Sequence, residues 1–133
     1  MKALHARGLL LDAGALRDAE RHPRGRTWAM CAAEVAEGRQ PLLPLTVLAQ
    51  MWRGGPGQAG LARVAKVCTL VGIDERLARR TGVLLGRSGT ADVVDAMVVL
   101  IAAEAGTAVV TSDPGDLAKL SEAVGVRVPL IVL

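Results

Sequence analysis

Apolar residues fall along this chain in two alternating kinds of run. Short dense runs at Gly8–Leu11, Leu42–Leu45, Thr69–Ile73, Ala108–Thr111 and Pro129–Leu133 have the length of buried strands. Between them, around Ala15–Arg21, Thr27–Glu37, Thr46–Trp52, Gln58–Val67, Asp74–Leu85, Ala91–Ala105 and Leu117–Val124, polar and apolar residues mix at helical spacing. In the second of these, Trp28, Cys31, Ala32 and Val35 share a face, and Gly38 ends the helix. Thr46 is placed to cap the third. Pro41 and Pro44 put the second strand near a sheet edge. The Ala91–Ala105 stretch is apolar all round after Asp95, which predicts a buried helix. Arg53–Gly57 and Gly86–Gly89 read as loops. Strands alternating with helices predict an α/β domain with a central, mostly parallel sheet of about five strands and helices on both faces. No repeat, low-complexity segment or linker interrupts the pattern, so residues 1–133 read as one domain.

Ligands of open parallel sheets gather at the carboxyl ends of the strands. Asp12 directly follows the first strand and Asp113 follows the fourth after one Ser, so both belong on that rim. Asp95 opens the buried helix, whose N-terminus reaches the same rim if it packs antiparallel to the sheet. Asp92 lies one turn earlier on nearly the same face, and Asp116 one turn past Asp113. Carboxylates crowded together stay ionised only if a cation offsets them. A ligand set of oxygen alone favours Mg²⁺ or Mn²⁺. Each acid also has a structural reading. Asp12 can cap the first helix, Asp92 can face a helix dipole, and Asp113-Pro114-Gly115-Asp116 has the form of a helix start. Asp95 borders a run with almost no polar atoms and is the acid that most needs a partner.

Composition narrows the chemistry. Cys31 and Cys68 belong to no metal-spaced cluster and read as reduced, partly buried thiols, and His5 and His22 are far apart. Zinc sites built on local motifs and Ser/His/Asp acyl transfer are therefore disfavoured. The net charge of +3 comes almost wholly from Arg. With no Phe or Tyr and two Trp, a base-stacking platform is excluded, and a nucleic acid would have to be held by phosphates and shape. Arg76, Arg79, Arg80 and Arg87 lie on or near one helical stripe, either a solvated face or a phosphate track. Trp28 and Trp52 read as core or interface anchors, or as the wall of a groove for a partner segment. The Gly-rich loop at Gly54–Gly60 lacks the Gly-Lys-Ser/Thr of a nucleotide site and reads as a mobile loop or a flap, with Arg53 beside it. No apolar run is long enough to span a bilayer and no secretory signal is evident, which makes the cytoplasm the expected compartment.

Three segments in order, Leu9-Leu10-Leu11-Asp12, Asp92-Val93-Val94-Asp95-Ala96 and Val109-Val110-Thr111-Ser112-Asp113-Pro114-Gly115-Asp116, resemble the signature segments of PIN-domain proteins, and in particular the VapC-like toxins of bacterial toxin–antitoxin pairs. The resemblance implies a PIN-like three-layer fold and a Mg²⁺- or Mn²⁺-dependent endoribonuclease, homodimeric and held in check by a cognate antitoxin. It assigns Asp12, Asp95 and Asp113 to the metal, with Asp116 as an additional acid. Thr46–Arg53 resembles the family helix that carries a Glu where this chain has Gln50. An amide offers a carbonyl oxygen but no charge, so Gln50 would orient water or substrate, with weakened activity. Arg53, Arg76, Arg80 and Arg87 are the candidate RNA contacts. The alternative is a catalytically silent module that binds RNA or an antitoxin. A receiver-like phosphotransfer domain would need a Lys near the site, and none occurs between Lys66 and Lys119.

Overall fold

The computed structural model describes residues 2–3, by their backbone alone, and 7–133; His5 lies outside the described residues. Among the described residues, seven strands and seven α-helices follow in chain order: β1 (Lys2–Ala3), β2 (Leu9–Leu11), α1 (Ala13–Arg21), α2 (Arg26–Ala36), β3 (Leu42–Pro44), α3 (Leu45–Met51), α4 (Ala59–Val67), β4 (Thr69–Val71), α5 (Glu75–Ser88), α6 (Val93–Ala105), β5 (Ala108–Thr111), α7 (Gly115–Val124), β6 (Val126–Arg127) and β7 (Leu130–Val132). The central sheet has five strands in the order β4-β3-β2-β5-β7, and every pairing is parallel. This is the α/β architecture that the alternating pattern predicts. The short parallel pair β1–β6, outside that sheet, has no signal in the hydrophobic pattern.

Buried leucines and valines fill the sheet interior. All three residues of β2 and all four of β5 are buried, as expected for central strands covered on both faces. The helices pack as two groups, α1 with α2, α3 and α4, and α5 with α6 and α7. Helix α6 is buried continuously from Ala96 to Ala102, as its unbroken apolar sequence demands.

Several boundaries differ from the sequence reading for local reasons. Helix α3 starts at Leu45, with Pro44 rather than Thr46 in the capping position; Pro44 has φ −61°, which suits helix entry. Helix α5 runs through Gly86 to Ser88 and stops only at Gly89, whose φ of +70° is the left-handed conformation that ends helices. Helix α7 starts at Gly115 with Pro114 at the cap, so Asp113 does not cap it. On α2, Cys31 is buried and Trp28 half-buried, but Ala32 and Val35 face solvent. Strand β3 lies one strand in from the edge strand β4. The Gly-rich loop is pinned by buried Gln58, which accepts from the amides of Arg53 (2.8 Å) and Gly54 (2.9 Å) and donates to the Met51 carbonyl (2.8 Å).

Candidate metal centre

The register of β2 against β5 pairs Leu11 with Val110, so the chain leaves both strands at the same end. Asp12 is the first residue after β2. Its Oδ1 accepts from the Ala13 amide at 2.7 Å and caps α1, and its Oδ2 lies 3.0 Å from the Thr111 hydroxyl. Thr111 also accepts from the Asp113 amide at 3.1 Å, so one hydroxyl fastens the turn after β5 to the acid after β2. Gly14 allows this approach. A Cβ there would lie 2.6 Å from the Ser112 backbone nitrogen and closer still to its hydroxyl.

The other acids arrive from α6 and α7. Asp92 caps α6, its Oδ1 accepting from the Asp95 amide at 2.9 Å. Asp95, half-buried in the first turn of α6, has its carboxyl pushed up to about 6, first by burial and then by repulsion from Asp92, Asp12, Asp116 and Asp113. Burial likewise raises Asp12, against the pull of its two hydrogen bonds, and Asp92 and Asp113 raise it further. Capping roles for Asp12 and Asp92 are thus real, yet Asp95 feels the charge of four other carboxylates and Asp12 that of two. No Lys or Arg is among the groups that shift Asp12 or Asp95.

A hard divalent cation fits this set in donor chemistry and charge. The carboxylates are not drawn into a ligand cage: among the described residues no three Asp, Glu, His or Cys side chains stand close enough to form a ready-made ligand group. Those of Asp95, Asp113 and Asp116 accept no hydrogen bond among the described residues. Gln50 is exposed on α3.

The sequence-chosen arginines are partly committed elsewhere. Arg76 and Arg80 both pair with Glu104, at 2.9 and 3.0 Å, and Arg79 pairs with Glu75 at 2.8 Å. Arg53 donates to the Trp52 carbonyl. Thr111 is the site residue that the search for acids passed over; a hydroxyl ending a strand two residues before an acid is its only trace in the sequence. Cys31 and Cys68 are free and buried, their thiols pushed up to about 11 and about 12 by burial, and they take no part in the site.

No family model and no curated protein matches the chain. Solved structures do. VapBC2 from Rickettsia felis bound to a DNA fragment from their promoter aligns with a TM-score of 0.70 at 12% identity, over 96% of this chain and 99% of that one. FitAcB from Neisseria gonorrhoeae aligns at 0.63 and 14%, over 92% and 96%. PAE2754 from Pyrobaculum aerophilum aligns at 0.60 and 17%, over 92% and 98%. On these near-full-length superpositions the chain has the PIN-like α/β fold that its three motif segments resemble.

Proposed function

We propose that the chain is a metal-dependent endoribonuclease of the PIN-domain toxin type. The observation that carries this reading is Asp95, a half-buried carboxyl raised by the charges of Asp92, Asp12, Asp116 and Asp113, with no cationic side chain among the groups that shift it. Asp12, Asp95, Asp113 and Asp116 would hold Mg²⁺ or Mn²⁺. When bound, such an ion supplies a Lewis acid for the phosphodiester and a water of lowered pKa. Asp12 is fixed for its part by the Ala13 amide and the Thr111 hydroxyl. Asp113 is positioned through its backbone amide, which leaves its carboxylate free. Gln50 would orient water or substrate as a neutral ligand.

The purified chain is expected to cut RNA with Mn²⁺ or Mg²⁺, and to lose that activity in EDTA and in Asp12→Asn or Asp95→Asn. Cleavage that survives all three changes equally sinks the reading.

A second reading, a silent module that binds RNA or an antitoxin without cutting, is favoured by Gln50, a neutral and exposed amide where the resembled family has a carboxylate. Gln50→Glu separates the two: activity that appears only in the variant identifies a natural chain that binds without cutting.

An antitoxin partner and a homodimer belong to the same proposal. The named complexes VapBC2 and FitAcB share the fold. An apolar groove of about 490 Å³ between α3, α4 and β4, lined by Leu45, Leu48, Trp52, Ala62 and Leu70, offers a surface for one of these contacts.

A further inference from the structure

The turn between α1 and α2 carries Arg21, His22, Arg24 and Arg26, all exposed, around a cleft of about 740 Å³. Among the described residues none of these arginines forms a salt bridge, whereas three arginines of α5 are paired with Glu75 or Glu104. Asp18, the one acid lining the cleft, is committed to the start of α2, accepting from the Thr27 amide at 3.2 Å and the Thr27 hydroxyl at 2.8 Å.

The turn is internally braced. His22 donates its amide to the Asp18 carbonyl at 2.7 Å, and Gly25 to the His22 carbonyl at 2.8 Å. Arg63 of α4 donates to the Pro23 carbonyl while its guanidinium stacks on Trp28, 3.8 Å from the ring centroid. Gly60 lets α4 close in, since a Cβ there would stand 3.0 Å from Pro23. Three guanidinium groups are therefore presented from a braced backbone, which leaves a ligand only their side chains to order.

The last residue of the turn, Arg26, reaches the end of the sheet that carries the acids. Arg26 donates to the carbonyl of Val132 at 3.4 Å, Val132 is the register partner of Thr111, and Thr111 binds Asp12. One strand spacing of about 4.8 Å separates those two strands. At the far end of α2, Glu34 comes within 4.0 Å of where a Cβ on Gly8 would sit, just before β2 begins. Helix α2 thus runs against the strand direction with its first residue at the acid rim.

We propose that Arg21, Arg24 and Arg26 form a phosphate platform that holds the backbone of single-stranded RNA beside the carboxylate rim. This rests on the nuclease reading for its substrate class. A rim of five carboxylates repels a polyanion, and an adjacent set of unpaired guanidinium groups offsets that repulsion. Guanidinium forks match phosphate oxygens bidentately. An acidic protein segment is the poorer fit, because the residues lining the cleft (Asp18 and 21–26) include no large apolar side chain for a partner to bury against.

The test is fluorescence anisotropy with a short labelled single-stranded RNA, titrated across a salt series in EDTA so that no cleavage occurs. The triple variant Arg21→Ala/Arg24→Ala/Arg26→Ala should bind at least about tenfold more weakly at low salt, with a salt slope shallower by about 2, from roughly 0.7 per lost contact. The matched triple variant Arg7→Ala/Lys66→Ala/Arg127→Ala removes the same charge from exposed positions shortly before β2, β4 and β7, at the opposite end of the sheet, and should bind within about twofold of the natural chain. Melting temperature is measured for both, so that loss of fold is seen separately. Equal weakening in the two variants, unchanged binding in the first, displacement by polyglutamate as effective as by unlabelled RNA, or tighter binding of the matching DNA would each overturn the proposal. Loss of the nuclease reading looks different: the chain binds RNA through this turn and cuts nothing when Mn²⁺ is restored.

Discussion

At Asp95 the carboxyl is raised to about 6, and at Asp12 it is raised as well, in both cases first by burial. A carboxyl raised on folding holds its proton longer in the native state than in the unfolded chain. Its stabilising contribution is complete below the ordinary Asp value near 4 and is lost as pH rises through about 6. After discounting for the half-exposed position of Asp95, the loss is about 1 kcal/mol. Relative to Asp95→Asn, the metal-free chain should therefore melt about 2–3 °C lower at about pH 7.5 than at about pH 4. Mn²⁺ should close that gap at the higher pH. Differential scanning calorimetry of the two proteins checks this, and a gap of zero or opposite sign refutes it. The acids were legible in the sequence because they sit at strand ends and at a helix start. Thr111 was not, because a hydroxyl at a strand end has many uses, and only the register of β2 against β5 reveals that this one faces Asp12.

Among helices, the informative contrast is between two glycines that look alike in sequence. Gly14 lies in α1 where a Cβ would collide with the backbone of Ser112; Gly82 lies in α5 with nothing within 4 Å. Gly14→Ala must push α1 off the turn that carries Asp113, at a cost of about 1–3 kcal/mol. Gly82→Ala removes backbone freedom from an exposed helix and should gain about 0.5–1 kcal/mol. Chemical denaturation midpoints should move in opposite directions, and a Gly14→Ala midpoint at or above the natural one contradicts the close approach. Helix existence was readable from periodicity, but the ends were not always. The stop of α5 is set by the left-handed backbone at Gly89 rather than at Gly86, and the Asp113 cap gives way to a turn held by Thr111. These are choices between two locally reasonable endings, and at Asp113 the deciding hydroxyl of Thr111 is itself held by Asp12, far away in the chain.

For the molecule as a whole, alternation of strands and helices was enough to predict a parallel sheet with helices on both faces, but not the strand order that makes β4 an edge. That order matters for partners. With β4 outermost, Leu70 and Ile73 stand 50% exposed, and Leu45 and Trp52 on and after α3 are 44% and 46% exposed. An edge strand beside a cluster of large exposed apolar side chains is a surface that a soluble chain ordinarily covers. If the proposed homodimer forms here, Trp52→Glu combined with Leu70→Glu should turn a dimer into a monomer in sedimentation at micromolar concentration. Its melting temperature should be nearly unchanged at concentrations where the natural chain is already monomeric, because both side chains lie outside the buried core. If the variant stays dimeric, the copies meet elsewhere and the groove is left to a different partner. If the natural chain is monomeric at every concentration, the homodimer proposal falls, and the same variant then tests whether a co-expressed antitoxin docks at α3 and α4.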